Sequence, residues 1–188
     1  MTEETVRMGE GTRTGATSRR MLAARIGMVL GALMLVAAFF LPWGTADGEW
    51  RDAAAATPDV MFYEPTGMTV ADAADISLLE YAQVYASMDG VWAVYTAIMY
   101  ATAGVSVLAL ILAALGKPWG ASVLALVAVA GSRLLAWDFQ DRGVLPGTTH
   151  DWGVAPAVYI AGGVILLAAA IWTIVMRRKA KAAQADQG

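Results

Sequence analysis

The sequence has no cysteine and only one histidine, His150, among its 188 residues. Without cysteine, the chain can form no disulfide, thiolate metal site, iron–sulfur cluster or thiol nucleophile. With one histidine, a single copy cannot supply two imidazole ligands to a haem or a zinc ion. The sequence also lacks a Ser/His/Asp spacing, a glycine-rich phosphate loop and an HExxH motif. These absences predict a protein that is not an enzyme and that binds no cofactor or metal.

Charged residues are also scarce in four long stretches of the chain. Hydrophobic residues make up 58% of the sequence and the mean hydropathy is +0.55, which exceeds the usual balance of a soluble domain. The uncharged residues 26–43 would reach about 27 Å as a helix, close to the hydrocarbon thickness of a bilayer. We therefore predict an all-α membrane protein, a four-transmembrane-helix bundle. Its spans are expected at about residues 22–43, 91–116, 119–137 and 154–176.

Lysine and arginine predict the orientation of this bundle. Ten of them lie with the two termini and the short turn at Lys117, whereas only Arg51 and Arg142 lie in the opposite loops. Four of the 16 acidic residues lie on the terminal side and the other 12 on the opposite side. The positive-inside rule then places both termini in the cytoplasm, and loops 44–89 and 138–153 outside a plasma membrane. The basic residues flank spans, so anionic lipid accounts for them and no nucleic-acid partner is predicted.

The two tails are predicted to contribute little structure. Residues 1–20 are polar and lack apolar periodicity, which favours a disordered cytoplasmic tail, and residues 179–188 form a second cytoplasmic tail. The membrane domain then covers residues 21–178. The segment 18–22, SRRML, resembles the start of a twin-arginine export signal. Because three more spans follow, we interpret it instead as the start of an uncleaved first helix.

Tryptophans mark the predicted ends of the spans. The indole ring prefers the headgroup layer of a bilayer, so tryptophans near span ends are typical of interface anchors. Six of the seven tryptophans occupy such positions: Trp43, Trp92, Trp119, Trp137, Trp152 and Trp172.

The first outer loop, residues 44–89, is too long for a simple connection and is predicted to fold. Residues 61–70 have the pattern of a short hairpin with a Pro-Gly turn. Ser77 and Glu80 have the spacing of a capping box, which predicts a helix from residue 78 to about Met88. We expect a small extracytoplasmic cap made of this hairpin and helix. His150, in the second outer loop beside Asp151, is interpreted as a solvated residue.

Arg133 is the one charge inside a predicted span. It lies four residues before Trp137, about 6 Å inside the outer boundary. A charge at that depth is costly unless it is paired or reaches the headgroups. One interpretation is structural, in which Arg133 either snorkels outward or forms a tether to Asp138 or Asp89. The other is a site for an anionic lipid or substrate.

Small residues predict where helices pack closely. Gly27 and Gly31 form a GxxxG pair, and Gly162 and Gly163 offer a similar smooth face on the last span. Without side chains, two helix backbones can approach each other closely in lipid. Packing within the bundle is the expected use, and a homodimer contact is the alternative.

The complete plan resembles that of small four-span integral membrane proteins of bacteria. The resemblance is carried by Phe40-Leu41-Pro42-Trp43 at the end of the first span, by Asp89-Gly90 before the second, and by the short turn at Lys117. The layout also looks like that of claudins, whose first outer loop forms a small sheet, and the segment from Trp43 to Trp50 echoes their tryptophan–glycine pattern. This resemblance implies a fold and no chemistry.

Three functions are considered for this plan, and an envelope enzyme that acts on lipid through outer Asp and Arg residues and His150 is the least favoured of them. The first is a non-catalytic accessory or assembly subunit of a cell-envelope complex, whose partners are the lipid bilayer and another membrane protein. The second is a small transporter or channel component that works as a homo-oligomer, with Arg133 near an anion path. The spans lack the paired intramembrane carboxylates and broken helices of a typical transporter, which favours the first function.

The topology can be tested by cysteine labelling, because the native chain has no cysteine that would react. Thr57→Cys and Thr148→Cys should react with a membrane-impermeant thiol reagent in intact cells. Ala183→Cys should react only after the membrane is permeabilised. Labelling of Ala183→Cys alone in intact cells would reverse the predicted orientation.

Overall fold

Four long helices dominate the computed structural model, which describes residues 3–88 and 90–185, with side chains from Arg19 onward. Each helix contains a segment that is long and apolar enough to cross a membrane, which confirms the four predicted spans as helices. They are α1 (Glu3–Ala37), α5 (Trp92–Ala114), α6 (Pro118–Asp141) and α7 (Ala155–Ala185).

Shorter elements connect α1 to α5 and α6 to α7. Between α1 and α5 they are β1 (Gly44–Ala46), α2 (Gly48–Ala56), β2 (Met61–Tyr63), β3 (Met68–Thr69), α3 (Val70–Ala74) and α4 (Leu78–Ala86). Between α6 and α7 there is one strand, β4 (His150–Trp152). We use the term cap for the elements β1 to α4 together with β4.

The four long helices form a ring in which α1 contacts α5 and α7, and α6 contacts the same two neighbours. The connection between α5 and α6 is short, and Gly116 takes a left-handed backbone conformation there (φ 67°) that favours glycine. Consecutive helices therefore run antiparallel. This arrangement brings the α1–α5 and α6–α7 connections, which contain the cap, to one end of the bundle. The turn at Gly116 lies at the other end.

The first span ends earlier than the sequence predicts. Helix α1 stops at Ala37, and tight turns at Phe39 and Phe40 lead into Pro42. Proline has no N–H and restricts the residue before it, so the helix cannot continue to Trp43. The chain folds back instead and buries Trp43 completely, with its indole N–H donating to the carbonyl of Ala38 at 3.1 Å. The prediction that Trp43 is an interface anchor is therefore wrong.

Three of the four long helices, α1, α6 and α7, extend beyond one or both ends of their predicted spans, whereas α5 is slightly shorter than predicted. Helix α1 begins at Glu3 and α7 continues to Ala185, so most of residues 1–20 and 179–188 is helical rather than irregular. No proline precedes Pro42, and the end of α7 is rich in alanine and lysine, which are strong helix formers. Helix α6 passes Trp137 and ends one turn later, at Asp141.

The hairpin and the capped helix predicted for the first loop are both present. Strands β2 and β3 pair antiparallel around a 3-10 turn over Glu64–Thr66. The Ser77 hydroxyl accepts from the Glu80 amide at 3.3 Å, and a Glu80 carboxylate oxygen accepts from the Ser77 amide at 2.6 Å, which confirms the capping box.

Two short helices in this loop were not predicted. Asp47 caps α2 by accepting from the Trp50 amide at 3.0 Å. Thr69 and Asp72 form a second capping box that starts α3, so Val70 belongs to a helix and not to the hairpin. The Asp72 carboxylate accepts hydrogen bonds from the Thr69 amide and hydroxyl. These bonds lower the pKa of Asp72, and the bond from the amide has the larger effect.

Backbone hydrogen bonds attach the cap to the bundle. Strand β1 pairs with β4, which joins the two connections although the paired residues lie more than 100 positions apart in the sequence. The Trp43 amide donates to Ile76 at 2.8 Å, and the Gly153 amide donates to Trp43 at 2.7 Å. A Cβ on Gly153 would lie 2.1 Å from the Pro42 carbonyl oxygen, so only glycine permits this approach. The cap is thus held at several points and is continuous with the start of α7.

Helices α1 and α7 form the closest packing in the bundle, at the small residues singled out in the sequence. A Cβ built on Gly31 would lie 2.6 Å from the Gly162 carbonyl oxygen, and one on Gly162 would lie 2.7 Å from that of Gly31. One on Gly27 would contact the Ala169 side chain at 3.1 Å, and one on Gly163 would lie 2.5 Å from Val129 on α6. All four glycines therefore contact other helices of the same chain.

This packing predicts a difference between two glycine-to-alanine variants. Gly31→Ala should destabilise the bundle by about 1–3 kcal/mol, because the new methyl group meets backbone atoms that cannot move aside. Gly104→Ala is the matched control in α5, since no atom lies within 4 Å of its Cβ position. It should leave stability unchanged or raise it by up to about 1 kcal/mol through helix propensity. Thermal unfolding in mild detergent measures both, and equal melting temperatures would contradict the assigned contact.

Candidate functional site

Arg133 lies in a groove between α6 and the start of α7, near the cap. The groove has a volume of about 400 Å³, and Trp137, Gln140, Trp152 and Ile160 contribute to its walls. Arg133 is exposed, and no carboxylate among the described residues lies within 4.0 Å of its guanidinium group. The groove is open and combines one cation with apolar and aromatic walls.

The predicted tether between Arg133 and Asp138 is absent, because Asp138 binds a different arginine. Its Oδ1 accepts from Nε and Nη2 of Arg142 at 3.2 and 3.0 Å. Arg133 precedes Asp138 by five residues, which places the two side chains about 140° apart around the helix. Arg142 follows Asp138 by four residues, which places these two only about 40° apart. Arg142 therefore lies on the same face as Asp138 and Arg133 does not. The other proposed partner, Asp89, lies outside the described residues.

Arg142 lies at the centre of a cluster of aromatic and charged side chains that the sequence did not predict. Its guanidinium group lies 3.7 Å from the ring centre of Tyr95 and 5.5 Å from that of Trp92, both near the start of α5. Tyr85 of α4 stacks on Trp92 at 5.3 Å. Burial raises the pKa of the Tyr85 hydroxyl, and the charge of Arg142 partly offsets this. The i,i+4 spacing of Asp138 and Arg142 at the end of an apolar run is a signal that could have identified the pair.

This cluster connects three elements. Arg142 follows the end of α6, its aromatic partners belong to α5, and Tyr85 brings in the cap helix α4. The second carboxylate oxygen of Asp138 is buried and has no hydrogen-bond partner among the described residues. The carboxylate thus depends on Arg142 for its stabilisation, and the arrangement is that of a structural clamp.

Polar side chains inside the bundle are few, and two of them bind each other. Ser106 and Tyr159 are fully buried, and their hydroxyl oxygens lie 2.6 Å apart. The Ser106 hydroxyl also lies 2.9 Å from the Thr102 carbonyl oxygen, to which it can donate. In the part of the chain that the structure describes, no buried side chain of the four long helices is charged. Trp43 and Phe139 pack edge-on beside Tyr159 and fill the cap end of the core.

His150 is bound within the cap and is not a solvated loop residue. Its Nε2 donates to the Ala73 carbonyl oxygen at 2.7 Å, which leaves Nδ1 to accept from the Thr149 hydroxyl at 2.9 Å. The ring also packs against Trp50, with centres 5.0 Å apart. The Nε2 bond therefore attaches β4 to α3, while the Nδ1 bond is local to residues 149 and 150. Among the side chains that the structure describes, residues 19–88 and 90–185, no group of three potential ligands could hold a metal ion.

The remaining predicted anchors differ in exposure. Trp119, Trp137 and Trp172 are 64%, 66% and 55% exposed on the outside of the bundle, as an indole at a membrane interface would be. Trp92 and Trp152 are half-buried against their neighbours.

The clamp predicts unequal effects of two arginine substitutions in and after α6. Arg142→Leu should lower the stability of the bundle by about 1–3 kcal/mol, because it leaves the half-buried Asp138 carboxylate without its charged donors. Arg133→Leu removes the same charge from an exposed position and should change stability by no more than about 0.5 kcal/mol. Thermal unfolding in detergent compares the two. A larger loss for Arg133→Leu would mean that Arg133 is a structural tether after all.

The site residues, then, are an exposed arginine in a groove, an arginine clamp and a histidine that supports the cap. Comparisons with protein-family models, with curated proteins and with solved structures found no match to this chain. The resemblance in layout to small four-span membrane proteins of bacteria therefore stays a prediction.

Proposed function

We propose that this chain is a non-catalytic protein of the plasma membrane that acts as an accessory or assembly subunit for another envelope protein. In this proposal both termini lie in the cytoplasm, and the cap lies outside, where it contacts the partner. The observation that supports it best is an apolar surface on a well-attached cap.

The charges at the two ends of the bundle support this orientation. The end that carries the turn at Gly116 also carries Arg25, Lys117 and Arg177, whereas most acidic residues lie in or beside the cap. Basic residues are retained on the cytoplasmic side during insertion. The acidic cap would then face the outside.

The apolar surface consists of three consecutive residues on β2 and just before it. Val60, Met61 and Phe62 are each more than half exposed, at 53%, 55% and 54%. Successive side chains of a strand point to opposite faces, so exposure of all three means that neither face of this strand is covered. Phe62 packs edge-on against Trp50 at 5.7 Å, which fixes its position. Contiguous apolar side chains on an ordered surface are typical of protein contact sites.

Acidic residues flank this surface. Asp59 precedes Val60 and Glu64 follows Tyr63, and both are exposed. A partner surface with an apolar centre and basic edges would be complementary to it. The attachment of the cap to α1 and α7 means that such a contact would hold the whole bundle beside the partner.

The alternative is a transporter or channel component, and Arg133 in its groove is the observation that favours it. The groove lies on the outside of the ring, while Trp43, Phe139 and Tyr159 fill the core at the cap end. Any anion path would thus have to form between copies of the chain. No charged side chain continues from Arg133 into the described core of one copy, so we prefer the accessory function.

The accessory function predicts a specific cross-link. A photoreactive amino acid at position 62 should cross-link this chain to a different envelope protein in native membranes. The same group at Ala55, which is exposed on α2, should do so much less. Val60→Ser combined with Phe62→Ser should remove that partner from the complex purified in mild detergent, with unchanged melting of the bundle.

Two results would contradict the proposal. Cross-linking at position 62 only to a second copy of this chain would indicate a homo-oligomer and favour the channel alternative. Retention of the partner by the double variant, at wild-type yield, would show that the surface on β2 does not bind it. The double variant Ala55→Ser, Ala56→Ser is the control for nonspecific effects of changing the cap.

A further inference from the structure

Two arginines from different helices converge at the end of the bundle opposite the cap. Arg25 of α1 donates to the carbonyl oxygen of Ala114, and Arg177 of α7 donates to that of Gly116 at 3.0 Å. The Cβ position of Gly116 lies 3.9 Å from Nε of Arg25 and 3.9 Å from Nη2 of Arg177. Both guanidinium groups thus lie beside the same turn at the end of α5.

No described carboxylate compensates these two charges. The two ion pairs among the described side chains, Arg51–Asp75 and Arg142–Asp138, both lie at the cap end. The carbonyl groups at the end of α5 carry only the partial negative charge of a helix C-terminus. Each guanidinium has five N–H donors and uses one on a carbonyl oxygen, so most donors of both groups remain for another acceptor.

The groove beside the two arginines combines charged and apolar side chains. It has a volume of about 340 Å³ and is lined by Arg25 and Arg177, by Gly116 and Thr173, and by the apolar residues Met21, Leu22, Met28 and Leu115. Two cations among apolar side chains match an amphiphile that has an anionic head and a hydrocarbon chain. A small inorganic anion would leave the apolar side chains uncovered.

We propose that Arg25 and Arg177 together bind the phosphate group of an anionic phospholipid, whose acyl chain lies against Met28 and Leu115. A guanidinium group matches phosphate oxygens with two parallel N–H donors, which makes arginine better suited to this task than lysine. The bound lipid would connect α1, α5 and α7 at the end of the bundle where no cap holds them. This site is independent of the proposed accessory function.

The test uses the full chain, purified in a nonionic detergent and stripped of lipid. Phosphatidylglycerol, phosphatidylcholine and inorganic phosphate are then added separately, while thermal unfolding and native mass spectrometry report stabilisation and retained lipid. We expect phosphatidylglycerol to raise the melting temperature and to remain bound, and the other two to have little effect. Arg25→Gln and Arg177→Gln should each weaken phosphatidylglycerol binding about tenfold or more.

Two further variants make the test specific. Arg178→Gln removes the same charge from the neighbouring residue of α7, which does not line this groove, and should bind phosphatidylglycerol within about twofold of the wild type. Arg177→Lys keeps the charge but loses the forked donor, so it should bind more weakly than the wild type and more tightly than Arg177→Gln. If a glutamine variant does not fold, Arg177→Lys still decides the question.

Each contrary result overturns the proposal. Equal stabilisation by phosphatidylcholine would mean that the groove does not recognise the anionic charge. Equal stabilisation by inorganic phosphate would show a phosphate site without a lipid. Equal loss of binding in Arg178→Gln would show a diffuse attraction of the whole basic end, without a built site at Arg25 and Arg177.

Discussion

The backbone of Pro42 and Trp43 is the junction on which the rest of the structure depends. The Pro42 carbonyl accepts from Ala155 at the start of α7, and the Trp43 amide donates to the cap at Ile76. The Trp43 side chain at the same time fills the core between the helix ends. One turn of chain thus joins the end of α1, the cap and the start of α7. Its hydrogen bonds are backbone bonds, which a membrane-embedded or buried chain must satisfy internally.

The two ends of the bundle are stabilised by different means. At the cap end, hydrogen-bonded strands, the Trp43 core and the Asp138–Arg142 clamp connect the helices. At the other end, only a three-residue turn joins α5 to α6, and arginines reach across to its carbonyl groups. In the middle, glycines bring the backbones of α1 and α7 close together, which suits association in lipid, where apolar side chains gain little by leaving the bilayer.

Much of the fold could be predicted from residues that are close together in the sequence. Four apolar runs of membrane length could be recognised because the bilayer imposes a minimum length on any helix that crosses it. The hairpin of residues 61–69 and the helix after Ser77 could be recognised because turn and capping residues act through their immediate neighbours. The β1–β4 pair could not be recognised, since strands of three residues carry almost no periodicity and these two lie more than 100 residues apart.

The sequence by itself determined the helical spans, the asymmetry of charge between the two ends and the positions of the small residues, because each depends on composition within one segment. The tertiary structure decided which residue each side chain meets. It paired Asp138 with Arg142 instead of Arg133, buried Trp43 instead of leaving it at an interface, and bound His150 to Ala73. These outcomes depend on the rotation of one element against another, and rotation is set by packing across the whole chain.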